Sequence, residues 1–120
     1  MLGLNYTLRF YIFNGKTNLR VGYMRLCVTV RDEMGCNPRD SRNVYVFINR
    51  SCTIIRMLHY ERGFYVLYEK RPETGRFRRP IYDSKSGKYK ISYAHLVCLT
   101  EGLQRTGIRL PEDGGNKSIL

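Results

Sequence analysis

The 120-residue sequence predicts a single α+β domain in which a mainly antiparallel meander sheet carries two helices packed on one face. Three observations lead to this prediction. Two segments repeat apolar residues at helical spacing, several short segments alternate with a period of two, and turn-forming residues separate those short segments. The length suits one modest hydrophobic core and is too short for two. The expected order of elements is β-α-β-β-β-β-(β)-α.

The chain begins with a predicted strand and a predicted helix. Leu8–Phe13 is rich in aromatic and branched residues and ends at the turn-forming pair Asn14-Gly15, which indicates a strand. Thr17 or Asn18 is expected to cap the helix that follows, which closes at Met34-Gly35. Apolar residues of this helix recur at spacings of four, three and four residues: Leu19, Tyr23, Leu26 and Val30.

From Asn43 the apolar pattern changes to a period of two, which indicates strands. Tight turns between consecutive strands predict an antiparallel meander, with strands at residues 43–49, 54–60, 64–68 and 76–80. A polar turn at residues 83–87 precedes a short strand, and Ser92 is expected to cap a last helix over residues 93–103. The domain is predicted to span residues 1–104, followed by a flexible tail at residues 105–120.

The charge of the chain is concentrated in one stretch. Asn49–Lys90 holds eleven lysines and arginines against four acids, so it carries +7 of the net charge of +11. Tyrosines and phenylalanines are interleaved with these cations. This combination is typical of a surface that binds a polyanion, and nucleic acid is the first candidate. The alternative is an ordinary strand surface, with aromatic residues in the core and solvated cations outside.

The candidate nucleic-acid contacts lie mainly in this stretch. Five cations bracket the turn at residues 72–75, and no dense group of carboxylates in the sequence neutralises them. Asn49 and Arg50 are the residue types that read adenine and guanine, although a hairpin turn is the interpretation that the pair favours. The predicted nucleic-acid-binding residues are Arg20, Asn49, Arg50, Arg56, Lys70, Arg71, Arg76, Arg78 and Arg79.

A second hypothesis is a protein-protein adaptor without direct DNA contact. Protein interfaces favour tyrosine and arginine, so exposed aromatic residues could form an interface core with a basic rim. The predicted partner-interface residues are Tyr60, Phe64, Tyr65 and Tyr68. The sequence carries no indication of the oligomeric state.

The sequence argues against an enzyme and predicts no catalytic residue, metal or cofactor. The four cysteines lack zinc-site spacing, no Gly-rich phosphate loop is present, and the acids look like helix-surface or turn residues. A metal-dependent nuclease is therefore the third and weakest hypothesis. His59 with Cys52 lacks an orienting carboxylate, which favours a structural histidine.

No apolar stretch approaches the roughly 20 residues of a membrane helix, and no leader-like start is present, so a cytoplasmic protein is expected.

Several motifs occur together in a consistent order between Leu4 and Leu103. They are Thr17-Asn-Leu-Arg-Val-Gly-Tyr23, Val46-Phe-Ile-Asn-Arg50, Leu58-His-Tyr-Glu-Arg-Gly-Phe64, Leu67-Tyr-Glu-Lys-Arg71 and Gly75-Arg-Phe77 with Pro80. In these motifs the chain resembles the small accessory protein of bacterial insertion sequences of the sixty-six type, the second-reading-frame (Orf2 or TnpB-type) product. The resemblance extends through Pro80-Ile-Tyr-Asp-Ser and Tyr89-Lys-Ile-Ser-Tyr-Ala-His-Leu-Val, which are similar to the Bacteroides-like form.

The resemblance implies a non-enzymatic accessory factor in transposition, encoded beside a DDE-type transposase in a bacterial cytoplasm. Its expected partners are DNA, most naturally the element ends, and the transposase of the same element. The chain departs from the family pattern at Asn18 (usually Asp), at Tyr60-Glu61 (usually Trp-Asp) and at Arg79 (often Trp). It keeps the family residue types at Arg20, Gly22, Asn49, Arg50, Gly63, Phe64, Lys70 and Arg71.

Overall fold

The computed structural model describes residues 4–15, 17–82, 87–102 and 109–110. The predicted α+β class is confirmed, and the elements follow the expected order with two differences: the strand expected at residues 76–80 is replaced by a two-residue strand at residues 81–82, and a further short strand follows the second helix. The elements are β1 (Arg9–Phe13), α1 (Tyr23–Asp32), β2 (Asn43–Ile48), β3 (Ile55–Glu61), β4 (Phe64–Lys70), β5 (Ile81–Tyr82), β6 (Lys88–Ile91), α2 (Tyr93–Glu101) and β7 (Arg109–Leu110).

Five strands form one sheet in the order β4-β3-β2-β1-β6. β1 and β2 are parallel, and the other three pairings are antiparallel. The parallel pair requires a crossover between β1 and β2, and α1 supplies it. The separate pair β5 and β7 is parallel and two residues long.

The central strand β2 is buried over its whole length, and its side chains alternate between two cores. Val44, Val46 and Ile48 belong to the core that contains residues of α2, whereas Tyr45 and Phe47 belong to the core that contains residues of α1. The helices therefore lie on opposite faces, and the expectation that both pack on one face is wrong. The physical reason is that β2 is apolar at every position from Val44 to Ile48, so both of its faces have to be covered.

The two helices begin differently. Ser92 caps α2 as predicted, since its hydroxyl accepts a hydrogen bond from the His95 N–H at 3.1 Å. α1 begins after Gly22 without a side-chain cap, later than the sequence predicts. Asn18 instead stabilises the preceding turn, where its Oδ1 accepts from the Arg20 N–H at 3.0 Å.

The segment between β4 and β5 also differs from its prediction. Residues 76–80 form no strand, because single hydrogen bonds from Phe77 and Arg79 take the place of continuous backbone pairing with a neighbouring strand. The Phe77 N–H donates to the Cys52 carbonyl at 2.8 Å, and the Phe77 ring is buried in the core on the α2 face. Pairing resumes only at β5.

The C-terminal boundary at residue 104 remains a prediction, because residues 103–108 and 111–120 lie outside the described part of the chain. Within the predicted tail, Leu110 of β7 is 2% exposed and belongs to the core on the α2 face. The predicted turn at residues 83–87 likewise falls largely on residues that are not described. None of the helices in the described ranges is long and apolar enough to cross a membrane.

A two-residue turn joins β3 to β4. Glu61 lies opposite Phe64, and the residues between them, Arg62 and Gly63, have φ angles of 50° and 86°. Two consecutive positive φ angles define a type I′ turn, whose twist matches that of the strands it joins. Glycine adopts this conformation without penalty, whereas arginine does not.

Arg56 ties the edge of the sheet to the segment before α1. Its side chain is 16% exposed, its Nε donates to Glu69 Oε1 at 2.7 Å, and its Nη1 donates to the Val21 carbonyl at 2.9 Å. Arg71 Nε donates to the second oxygen of the same carboxylate at 2.7 Å. Arg71 and Arg56 together lower the pKa of Glu69 below its ordinary value.

Replacing Arg62 should stabilise the protein. Asparagine tolerates the left-handed conformation better than arginine, so Arg62→Asn should raise the free energy of unfolding by about 1 kcal/mol. The measurement is urea unfolding, in which the midpoint should rise at an unchanged m-value. Gly63→Ala is the opposed control and should lower the midpoint, because it places a Cβ at a φ of 86°. An unchanged or lower midpoint for Arg62→Asn would contradict this account of the turn.

Glu69 should make the stability depend on acidic pH. Its lowered pKa means that its stabilising contribution is present above the ordinary glutamate pKa and is lost as the pH falls through the folded-state value. Glu69→Gln should therefore be less stable than the parent at neutral pH by about 1 kcal/mol, and the two should converge in acid. The check is urea unfolding over a pH series. Glu73→Gln, at an exposed position, should follow the parent curve, and parallel curves for parent and Glu69→Gln would refute the prediction.

Candidate nucleic-acid interface

The turn between β2 and β3 and the loop between β4 and β5 lie against each other at one end of the sheet. Besides the contact from Phe77 to Cys52, the Arg79 Nη2 donates to the carbonyls of Asn49 at 2.8 Å and Arg50 at 3.0 Å. Two sequence segments that are separated by β3 and β4 thus form one surface. We call its cationic side chains, Arg50, Arg76, Arg78 and Arg79, the turn–loop patch.

All four side chains of the turn–loop patch are exposed. None of them forms an ion pair within the described ranges of the chain. Glu73 is the only acid between residues 71 and 80, and it too is exposed and makes no ion pair to a described residue. The patch therefore keeps its positive charge facing solvent, where it attracts anions over long range.

Asn49 lies beside the patch but its side chain is used within the turn. Its Oδ1 accepts from the N–H groups of Thr53 at 2.9 Å and Ile54 at 3.0 Å. Its Nδ2 donates to the hydroxyls of Ser51 at 3.1 Å and Thr53 at 3.0 Å. This is the hairpin-turn role that the sequence leaves open beside base reading, and it shapes the backbone that carries Arg50.

Three other predicted contacts are paired with two carboxylates. Arg56 and Arg71 share Glu69, and Lys70 donates to Glu101 Oε2 of α2 at 2.6 Å, which lowers the pKa of Glu101. The expectation that no carboxylates neutralise the five cations around the turn at residues 72–75 is therefore wrong for Lys70 and Arg71. Glu69 lies opposite Arg56 and two residues before Arg71, and Glu101 comes from α2, 31 residues from Lys70 along the chain.

Arg20 is exposed in the turn before α1, next to the residue whose carbonyl binds Arg56. Its side chain makes no hydrogen bond or ion pair to the part of the chain that the structure describes. Arg20 is thus charged and accessible, and the contact of Arg56 with Val21 places it near the Arg56–Glu69 pair.

The sheet separates the predicted partner-interface residues into two pairs. Tyr60 and Tyr65 are opposite each other on the α1 face, with ring centroids 4.9 Å apart in an edge-on arrangement. Phe64 and Tyr68 are on the α2 face, where Tyr68 packs against the core and Phe64 is 70% exposed. The alternation along β4 makes this separation unavoidable.

The structure adds residues to the tyrosine pair that sequence reasoning missed. Tyr23 of α1 lies 5.1 Å from Tyr65 between ring centroids, and Arg39 lies beside the Tyr65 side chain. Arg31, Arg39 and Tyr65 line an open cavity of about 530 Å³. One signal was present in the sequence, since Tyr23 and Arg31 are eight residues apart and so share a helix face. We call Tyr23, Tyr60 and Tyr65 the tyrosine cluster.

The polar residues considered for catalysis have structural contacts. His59 is buried, with its Nε2 2.9 Å from the Ser41 carbonyl, which fits a structural histidine. All four cysteines are free, and burial raises the pKa of the Cys27 thiol. Across the described ranges, no three side chains of the metal-binding types come together.

Comparison with known proteins identifies the family. Residues 8–109 match the family model described as IS66 Orf2 like protein. The chain is also similar to an uncharacterized protein, y4hO, of Sinorhizobium fredii (strain NBRC 101917 / NGR234), with 31% identity over 103 residues that cover 86% of this chain and 87% of the relative. No solved structure matches the chain. The chain therefore belongs to the IS66 Orf2-like family, whose role is that of an accessory protein in the transposition of insertion sequences.

Proposed function

We propose that the protein serves transposition by binding double-stranded DNA, at the ends of the element, through the turn–loop patch. The observation that carries the proposal is the contact of the Phe77–Arg79 segment with the turn at residues 49–52. It gathers arginines from two segments onto one surface with no ion-paired acid in the described part of the chain. Family membership supports the process, and the charge supports the ligand.

The patch suits phosphate better than it suits bases. Guanidinium groups donate to phosphate oxygens in pairs, and exposed arginines on a turn and a loop can follow the backbone of a duplex. The side chain of Asn49 is engaged in the turn, so the nearest amide is not positioned to read adenine. Binding through this surface should therefore depend strongly on salt and weakly on base sequence.

The salt dependence of DNA binding tests the patch directly. Arg76→Gln and Arg78→Gln should each weaken binding to element-end duplex DNA and lower the slope of log affinity against log salt by about 0.9. Fluorescence anisotropy over a salt series measures both quantities. Both side chains are exposed and make no contact that the fold requires, so the variants should unfold like the parent.

Arg62→Asn is the matched control, because it removes one arginine at the other end of β3 and β4, remote from the patch along the strands. Its salt slope should equal that of the parent. Equal losses for Arg62→Asn and Arg78→Gln would indicate binding by overall charge and would contradict a localised site. Failure of the parent protein to bind DNA at low salt would overturn the proposal.

A second candidate function is contact with the transposase, and the tyrosine cluster favours it. Tyr23 is 43% exposed and stacks against Tyr65, which also contacts Arg39. Half-exposed aromatic rings with arginine at their rim are typical of the centre of a protein interface. The exposed faces of these rings, and not the buried core, would meet the partner.

Removal of one ring tests this second function. Tyr23→Ala should lower the retention of the neighbouring transposase in a nuclease-treated pull-down by at least about tenfold, as truncation of a central interface residue does. Tyr6→Ala is the control, since Tyr6 is 78% exposed and lies outside the cluster. Retention that disappears for every variant after nuclease treatment would mean that DNA bridges the two proteins.

A further inference from the structure

β4 is an edge strand that no described strand pairs on its outer side. It is seven residues long and its first five residues, Phe64–Tyr68, are aromatic or aliphatic, with Phe64 70% exposed and Leu67 36% exposed. The other edge of the sheet is β6, which has four residues and carries an exposed lysine, Lys90. Proteins usually protect edges by shortness and charge, and β6 shows both features. β4 shows neither along its middle, which makes it a surface suited to another strand.

The type I′ turn determines which backbone groups of β4 face outward. In a hairpin with a two-residue turn, the flanking residues Glu61 and Phe64 form a hydrogen-bonded pair. Hydrogen-bonded and non-hydrogen-bonded pairs then alternate along the strands. The N–H and C=O groups of Tyr65, Leu67 and Glu69 therefore point away from β3. None of these six groups accepts or donates a hydrogen bond within the described residues outside the sheet ladder.

We propose that two copies of the chain pair antiparallel along β4, about a two-fold axis at Leu67. In this register Leu67 lies opposite Leu67 of the second copy, and Tyr65 lies opposite Glu69 of the second copy. All three outward-facing residues of each strand then find a hydrogen-bonding partner, and the two sheets become one sheet of ten strands. An axis at Val66 or at Tyr68 would pair only two of the three.

The side chains suit the same register. On the α1 face the two Leu67 side chains meet and cover each other. On the α2 face Phe64 lies opposite Lys70 of the second copy, and Val66 lies opposite Tyr68 of the second copy. No like charges stand directly opposite each other, which would be destabilising in a sheet. The strand is thus complementary to itself, which favours a second copy over an unrelated strand.

The net charge of +11 opposes this association at long range, so added salt should strengthen it. DNA binding should respond to salt in the opposite direction. The dimer does not depend on the proposed function, and the two can fail separately. A chain that dimerises but does not bind DNA would keep this inference and lose the other.

Sedimentation equilibrium over a salt series gives the first test. The parent should reach a mass of 28.2 kDa, twice the 14.1 kDa of one chain, with a dissociation constant that falls as salt rises. Leu67→Lys should raise that constant by at least about tenfold, because it removes the apolar contact and opposes two positive charges across the axis. The control is Met24→Lys, which also replaces an apolar side chain by lysine, at a position on α1 that is 68% exposed. This variant should dimerise like the parent.

Cysteine cross-linking tests the register and does not depend on the lysine variant. Opposed residues of a hydrogen-bonded antiparallel pair have Cα atoms about 5.5 Å apart, which a disulfide spans. Leu67→Cys should therefore give a covalent dimer under mild oxidation, well above the level of the parent. Phe64→Cys should not, although Phe64 is more exposed, because residue 64 and its copy would be offset by six residues, or about 20 Å.

A parent chain that stays monomeric at every salt concentration would overturn the inference and leave the edge to a different partner. Equal cross-linking at positions 64 and 67 would also overturn it, since random collision predicts more at the more exposed site. A dimer that is as tight with Leu67→Lys as without it would place the interface elsewhere on the molecule.

Discussion

The burial of β2 on both faces is the constraint on which the rest of the structure depends. All six of its residues are buried, and it is hydrogen-bonded to a strand on each side. A strand in this position needs an apolar layer above and below it. α1 provides one layer as the crossover between the parallel strands, and α2, which follows β6, provides the other.

The helices cover the middle of the sheet on both faces, so the proposed binding surfaces lie at the ends of the sheet, along its β4 edge and beside α1. The cations divide accordingly. Those that project from or directly follow the strands, such as Arg56 and Lys70, are paired with carboxylates that hold the fold together. Those on the turn and the loop, such as Arg50 and Arg78, have no such partner in the described chain and remain available. The number of cations in the sequence therefore overestimates the size of the binding surface, because the cations on or next to the strands are paired with carboxylates.

Sequence reasoning predicted what depends on local pattern. The helices and the long strands followed from their periods, and the cap at Ser92 followed from its neighbours. The face covered by each helix could not be predicted, because β2 is apolar at odd and even positions alike. Contacts such as Lys70 with Glu101, or Tyr23 with Tyr65, join residues whose proximity exists only after folding. The sequence predicted that Arg79 belongs to the basic surface. Its hydrogen bonds to the carbonyls of Asn49 and Arg50 could not be predicted, because every residue has a main-chain carbonyl and the sequence does not show which one is near.

The way in which Phe77 and Arg79 hold the loop between β4 and β5 has a consequence for how the family can diversify. The loop contacts the turn at residues 49–52 through Phe77 and Arg79. Residues 72–75 make no hydrogen bond to the described part of the sheet. Insertions, deletions and exchanges at residues 72–75 can therefore accumulate without loss of the core. Relatives can in this way differ in the length and charge of this loop while they keep one scaffold.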